Sequence, residues 1–215
     1  MKIADNIIRD KLKNVYFLSG GAYGGKTTMA KLIEEKHGFI RYRQGDHYDE
    51  YKEISNIVEQ PVMSRDRSAD WHGYFSQPAR EYADSLRAGL YEEAGFVVAD
   101  LLAMPKDRKV IVDCIIPVDI LKEISDPAHV FLLFAPDEMK RKHYFERADK
   151  DELFRFILSL PDGKELLRNV NEALNLDNEA ERESFIRSGF AYKERSANDT
   201  PEDTLRRIEE HFGLL

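Results

Sequence analysis

The chain has 215 residues, 42% of them hydrophobic and 33% charged, with a formal net charge of -8. This length lies within the range of one compact domain, because cores divide only beyond roughly 250 residues, and the apolar fraction supports a sizeable core. The charge density excludes a membrane bundle, and the negative balance argues against nucleic acid as a general partner, which would need a basic surface. The longest apolar runs, 128–135 and 110–116, have strand lengths and fall short of the roughly 20 residues that span a bilayer. The first residues, MKIADNIIRDKLKN, place Ile3, Ile7, Ile8 and Leu12 at helical spacing and read as a short amphipathic helix rather than a secretory signal. A single cysteine, Cys114, sits beside Asp113 in an apolar run and reads as a buried small hydrophobe. Together these features lead us to expect a soluble, cytoplasmic protein.

In chain order, Val15 to Ser19 is a short apolar strand that runs into a glycine cluster. The helix that follows carries Met29, Leu32 and Ile33 on one face and ends at Gly38. Phe39 to Arg43 reads as a second strand, followed by the turn-like QGDHYD. Residues 60–78, with two prolines and alternating charge, form an irregular excursion. Tyr82, Leu86, Leu90, Ala94, Val97 and Leu101 then recur near every fourth residue, so the spacing predicts a long helix over 78–104 despite Gly89 and Gly95. Lys109 to Ile115 is the most β-like stretch, and Pro117 fits the first position of a short helix holding Ile120, Leu121 and Ile124. Val130 to Phe134 is another strand. Residues 137–188 are dense in Glu, Lys, Arg and Leu and suggest several helices forming a lid-like insertion. A last strand near Phe190 to Lys193 precedes Thr200-Pro201-Glu202-Asp203, a helix start with Thr as cap and Pro at the first position. Alternating strands and helices call for an α/β fold with a mostly parallel, five-stranded sheet covered on both faces.

The run Gly20-Gly21-Ala22-Tyr23-Gly24-Gly25-Lys26-Thr27 fits G-x-x-x-x-G-K-[ST] at every fixed position, between a strand and a helix. Average residue frequencies give this pattern by chance on the order of once in a hundred chains of this length, and correct flanks lower that further. Such a loop points successive N–H groups at phosphate oxygens, and the helix N-terminus adds favourable partial charge. Lys26 would reach the β- and γ-phosphates of ATP, Thr27 would ligate Mg²⁺, and Thr28 would stand at the same helix start. Asp113, at the end of an apolar strand, is placed where open α/β sheets bind ligands and would hold Mg²⁺ through water. A plainer role for Asp113 is to cap the following helix. Nothing follows Asp113 as a GTP-binding switch would require, and Cys114 stands where a hydrolytic ATPase usually has a glutamate.

These motifs resemble the small P-loop kinases, the group that includes uridine kinase, gluconate and shikimate kinases, nucleoside monophosphate kinases and chloramphenicol phosphotransferase. The resemblance implies a P-loop NTPase three-layer αβα sandwich with a helical lid. Gly45-Asp46-His47-Tyr48 is similar to the Asp-x-Phe/Tyr-Tyr segment of the uridine kinase group, with Asp49 in place of the second aromatic. Carried over, Asp46 would orient the acceptor hydroxyl and take its proton; read alone, it is an aspartate in a glycine turn. Lys140 to Asp149 resembles the arginine-bearing lid, so that Arg141 and Arg147 would stabilise the charge of the moving phosphoryl group, or else form a solvated helix face. Arg195 to Thr200 occupies the place of the family's adenine-contacting loop.

Between the glycine loop and Asp113, the residues Arg65, Arg67, Trp71, His72, Tyr74, Phe75 and Arg80 suit either acceptor stacking and charge pairing or the plugging of a core edge. The expectation is therefore one kinase-like domain over 1–215, with an acceptor-site excursion at about 60–80 and a lid at about 137–188. It would transfer the ATP γ-phosphate to a small-molecule hydroxyl, with no nucleic-acid or membrane partner. The alternatives are a phosphate acceptor of the nucleoside monophosphate kinase type and a non-catalytic nucleotide-binding regulatory module.

Overall fold

The fold is given by a computed structural model that describes residues 3–136, 138–140, 148–196 and 198–215. Its centre is β1 (Val15–Ser19), in which every residue is buried. A strand with no polar face must be covered on both sides, which is the requirement of an all-parallel sheet. The five strands lie in the order β2-β3-β1-β4-β5, with β2 at Ile40–Arg43, β3 at Val110–Asp113, β4 at Val130–Phe134 and β5 at Ala191–Glu194. Every pairing among them is parallel, so the sheet is parallel throughout rather than mostly so. The register sets Leu18 and Arg43 on either side of Asp113, which brings the carboxyl ends of β1, β2 and β3 to one edge.

Alternate residues of the strands feed two cores. On one face Phe17, Val112, Leu132 and Phe134 pack against Val97 and Leu101 of α5 (Ala79–Ala103) and Leu121 of α6 (Val118–Ile124). On the other, Leu18, Ile111 and Leu133 meet Met29 and Ile33 of α2 (Lys26–His37) and Ile208 and Phe212 of α9 (Pro201–Phe212). The ends of these helices follow local chemistry. Gly38 closes α2 in the left-handed conformation at φ 68°, and Thr200 accepts the Asp203 N–H at the start of α9 with Pro201 directly after it. The long α5 forms through both of its glycines, because its apolar face is held by the sheet. The N-terminal amphipathic helix is α1 (Asp5–Lys11).

Three elements differ from the sequence reading. The turn after β2 is a 3-10 turn (Gln44–Asp46) followed by α3 (Tyr48–Ile54), and the excursion contains α4 (Trp71–Phe75). Pro117 stands one residue before α6 as its cap. Beyond the sheet, α7 (Ala148–Ser159) and α8 (Gly163–Arg187) build a third core with α4 and α5, in which Tyr74, Phe75, Tyr82, Ile157 and Val170 are buried. Among the described residues no helix is long and apolar enough to cross a membrane.

Helices α2 and α9 are joined by a charge contact under the sheet. Glu209 is buried and accepts from Lys36 at 2.9 Å and from His37. Burial pushes the Glu209 carboxyl up, yet the bonds from Lys36 and His37 outweigh it and hold the group below its ordinary value. A lowered folded value means that this contribution is complete above the ordinary carboxyl value of 4.5 and is lost as pH falls through the folded one. Glu209→Gln is expected to lower stability at pH 7 by about 1–3 kcal/mol. Urea unfolding at pH 7 and pH 3.5 checks this: the gap between wild type and variant should shrink at the lower pH.

Candidate functional site

The glycine loop, residues 20–25, follows β1 and crosses the backbone of Leu133 in the neighbouring strand. A Cβ on Gly20 or on Gly24 would lie 2.3 Å from the Leu133 carbonyl oxygen, and Gly20 also has φ 113°. Both positions therefore require glycine. Tyr23 adopts φ 63°, an uncommon value for a bulky residue that marks strain stored at this bend. The loop delivers Lys26 and Thr27 to the first turn of α2. The Lys26 ammonium turns back to donate to the carbonyls of Gly20 at 2.8 Å and Gly21 at 2.7 Å.

A cleft of about 480 Å³ opens over this loop, bordered by Lys26, Thr27, Thr28, Gln44, Glu93 and Asp113 among others. Asp113 ends β3 and is buried, and its Oδ2 has no hydrogen-bond partner among the described residues. Helix α6 starts at Val118 with no side-chain cap, so Asp113 does not serve as its cap. A buried carboxylate oxygen without a donor is costly unless something else meets it, and a hard cation with oxygen ligands suits it. Thr27 across the cleft offers a hydroxyl. Among the described residues no three His, Cys, Asp or Glu side chains cluster as a metal cage; Mg²⁺ commonly needs only one or two protein oxygens beside substrate phosphates.

The floor of the cleft is fixed by cross-links between loops. Ser19 Oγ accepts the Ile116 N–H at 3.0 Å, and Gln44 Oε1 accepts the Ile115 N–H at 3.0 Å. The β2 to α3 segment is anchored by the phenols of Tyr42 and Tyr51, which meet each other and the Asp100 carboxylate on α5. Burial, with the hydrogen bonds to Asp100, pushes both phenols far up, so they act as neutral donors. His47 stacks on Tyr42 at 5.2 Å.

Of the residues singled out from sequence, Gly20, Gly21, Ala22, Tyr23, Gly24, Gly25, Lys26, Thr27, Thr28 and Asp113 converge at this place. Asp46 does not border the cleft. Its side chain is 58% exposed and lies 3.4 Å from the Arg43 guanidinium. Arg141 and Arg147 lie outside the described residues. The basic residue just before them, Lys140, is 1% exposed, donates to Asn178 at 3.2 Å, and has its ammonium 3.1 Å from where a Gly21 Cβ would stand. The Glu181 carboxylate reaches the same spot at 3.2 Å, and burial together with the charge of Asp177 pushes it up against the pull of Lys140, Lys26 and Arg87. Trp71, Tyr74 and Phe75 belong to the third core, with Arg67 5.0 Å above the Tyr74 ring.

One group at the cleft, Glu93, has no signal in the sequence, and Arg195 is marked there only as part of the 195–200 segment. Glu93 borders the cleft from α5, 9% exposed, and burial pushes its carboxyl up while the Gln44 side chain, hydrogen-bonded to it, offsets part of that. Arg195 donates to the Tyr23 carbonyl at 3.2 Å and borders both the cleft and a second pocket of about 140 Å³. Thr28, Met29, Leu133, Lys193 and Thr200 line that second pocket, so the 195–200 segment does stand beside the glycine loop. Its shape is held by Lys193, 2.7 Å from Asp199, and by the Ser196 N–H on the same carboxylate. A larger, mostly apolar cavity of about 370 Å³ lies between α5, α6 and α8, near Leu90, Ile115 and Phe185.

No protein-family model matches the chain, and no curated protein is significantly similar to it. Gly24→Ala is expected to cost about 1–3 kcal/mol, because the new methyl would press into a main chain that cannot move aside. Thermal melting checks this, and Gly25→Ala provides the contrast: it meets no atom within 4 Å, so its cost comes only from φ 93°.

Proposed function

We propose that the chain is an ATP-dependent phosphotransferase of the small P-loop kinase type, moving the γ-phosphate of ATP·Mg²⁺ to a hydroxyl of a small acceptor. The observation that carries this reading is the meeting, in one cleft at the carboxyl ends of parallel strands, of the glycine loop with Lys26, Thr27 and the unpartnered buried oxygen of Asp113. Open parallel sheets bind ligands at this edge.

On arrival of a triphosphate, the loop N–H groups and the start of α2 would receive the phosphate oxygens. Lys26 would exchange its two loop carbonyls for the β- and γ-phosphates. Thr27 and Asp113 would hold Mg²⁺, which when bound reduces the negative charge that repels an incoming nucleophile. Arg195, already over the loop, would steady the nucleotide, with the base in the pocket between Thr28 and Thr200. Arg141 and Arg147 are proposed to add positive charge to the moving phosphoryl group. Little covalent chemistry is left to the protein, so positioning and electrostatic stabilisation account for the rate. Such an enzyme would act in the cytoplasm, where ATP is supplied.

Acceptor-dependent ADP release across a metabolite library tests the reading. Lys26→Ala is expected to reduce turnover by about a hundredfold or more and to weaken ATP binding. Near-normal turnover would remove Lys26 from the phosphate site. Asp113→Asn is expected to raise the Mg²⁺ concentration needed for half-maximal nucleotide binding, measured by titration, with the fold unchanged by circular dichroism. If ATP binds tightly and no acceptor releases ADP, the chain is instead a nucleotide-binding regulatory module. If only phosphate-bearing acceptors work and the phosphate is the group modified, the acceptor class is that of the nucleoside monophosphate kinases.

A further inference from the structure

We propose that Glu93, and not Asp46, takes the proton of the acceptor hydroxyl, and that Arg67 anchors an anionic group of the acceptor, so that the substrate is a small hydroxy compound bearing a carboxylate or a phosphate. This rests on the reading of the chain as a phosphotransferase.

The group that receives the hydroxyl proton must face the phosphates and the acceptor at once. Glu93 does so by position. With Leu90, one turn away on α5, it borders both the phosphate cleft and a neighbouring pocket of about 110 Å³. Asp46 borders neither. Glu93 also has no cation paired with it among the described residues, whereas Asp46 lies against Arg43 in solvent. Burial raises the proton affinity of Glu93, and a base works best when that affinity approaches the working pH. The adjacent Glu92 has a different task. Its carboxylate receives the N–H groups of Val62 at 3.0 Å and Met63 at 2.8 Å, pinning the excursion against α5 and so shaping the small pocket.

The lining of that pocket also includes Arg67, with Tyr48, Met63 and Ser85. Arg67 is partly buried over the Tyr74 ring and has no carboxylate partner among the described residues. A guanidinium held in place without a counter-charge is suited to a carboxylate or phosphate brought by a ligand. The size of the pocket selects further. At about 110 Å³ it is well below the roughly 300–1,000 Å³ of sites that take drug-sized ligands, so it suits a short aliphatic acceptor and not a nucleoside.

In the transfer, the acceptor oxygen bonds to the γ-phosphorus as the bond from that phosphorus to the β–γ bridging oxygen breaks. The electron pair of the broken bond stays with ADP. The hydroxyl proton passes to the Glu93 carboxylate and from there to solvent.

ADP release is measured for wild type with glycerate and threonate, with glycerol phosphate, and with uncharged glycerol and glucose, alongside Glu93→Gln, Glu93→Asp, Asp46→Asn and Arg67→Gln. Glu93→Gln is expected to lower kcat by about a hundredfold or more with ATP affinity and melting temperature unchanged, and Glu93→Asp to recover part of the loss. Asp46→Asn should change kcat by less than about threefold. Arg67→Gln should raise KM for the charged acceptors about tenfold or more, the scale of one charge-assisted hydrogen bond, and leave kcat in place. Preference for glycerate and threonate assigns a carboxylate to Arg67, and preference for glycerol phosphate assigns a phosphate. A large loss in Asp46→Asn with Glu93→Gln active overturns the role of Glu93, as does a Glu93→Gln loss accompanied by weaker ATP binding or a lower melting temperature. Uncharged acceptors used as well as charged ones overturn the role of Arg67. If wild type releases no ADP with these or any library acceptor, the phosphotransferase reading itself fails.

Discussion

The backbone of the glycine loop lies so close to the backbone of Leu133 that neither Gly20 nor Gly24 has room for a side chain. This contact sets how far the loop can rise above the sheet and therefore where α2 begins. Because Leu133 belongs to β4 and the loop grows from β1, the crossing also ties the loop to the register of two central strands. The position of Lys26 and Thr27 relative to Asp113 follows from that register and from the β1–β3 pairing on the other side. A cleft assembled in this way has a rigid floor. Lys26 and Thr27 project from a helix start and Asp113 from a strand end, so regular elements position them.

Around that floor, charge is arranged with little waste. The acidic chain gathers several of its basic groups around the glycine loop: Lys26 in the loop, Arg195 over it, Lys140 packed against Gly21. Some carboxylates are paired, as Glu194 is with Arg182 through two hydrogen bonds at 2.8 and 3.0 Å, and others are buried at the cleft, as Asp113 and Glu93 are. The contrast in environment between Asp46 and Glu93 shows how burial, and not residue type, separates a solvated surface ion pair from a group with raised proton affinity.

What the sequence made legible was local. The strand β1, the glycine loop, the caps at Gly38 and Thr200 and the alternation of strands with helices all rest on short-range chemistry, and all stand where the pattern put them. What it concealed was tertiary. QGDHYD has the composition of a turn, but Tyr42, Tyr51 and Asp100 come together from three elements and hold a 3-10 turn and a helix there. Glu92 and Glu93 are consecutive polar residues of an amphipathic helix, and nothing in their spacing says that one pins a loop while the other faces a cleft. Trp71, Tyr74 and Phe75 suited stacking and core filling equally on composition; the arrival of α7 and α8 decides for the core.

The outer strands of the sheet carry a further consequence. β2 bears Arg41 and Arg43, and β5 bears Lys193 and Glu194. Several of these charges are already engaged within the molecule, Arg41 with Glu34 at 3.0 Å and Lys193 with Asp199 at 2.7 Å. Another chain adding itself alongside either border would have to break those ion pairs and bring its own backbone up to fixed charges. Free main-chain groups at a sheet border invite such pairing, and charged side chains there discourage it. The charged residues of the two border strands thus favour a sheet five strands wide, a safeguard against fibrous association in a chain whose inner strands are almost wholly apolar.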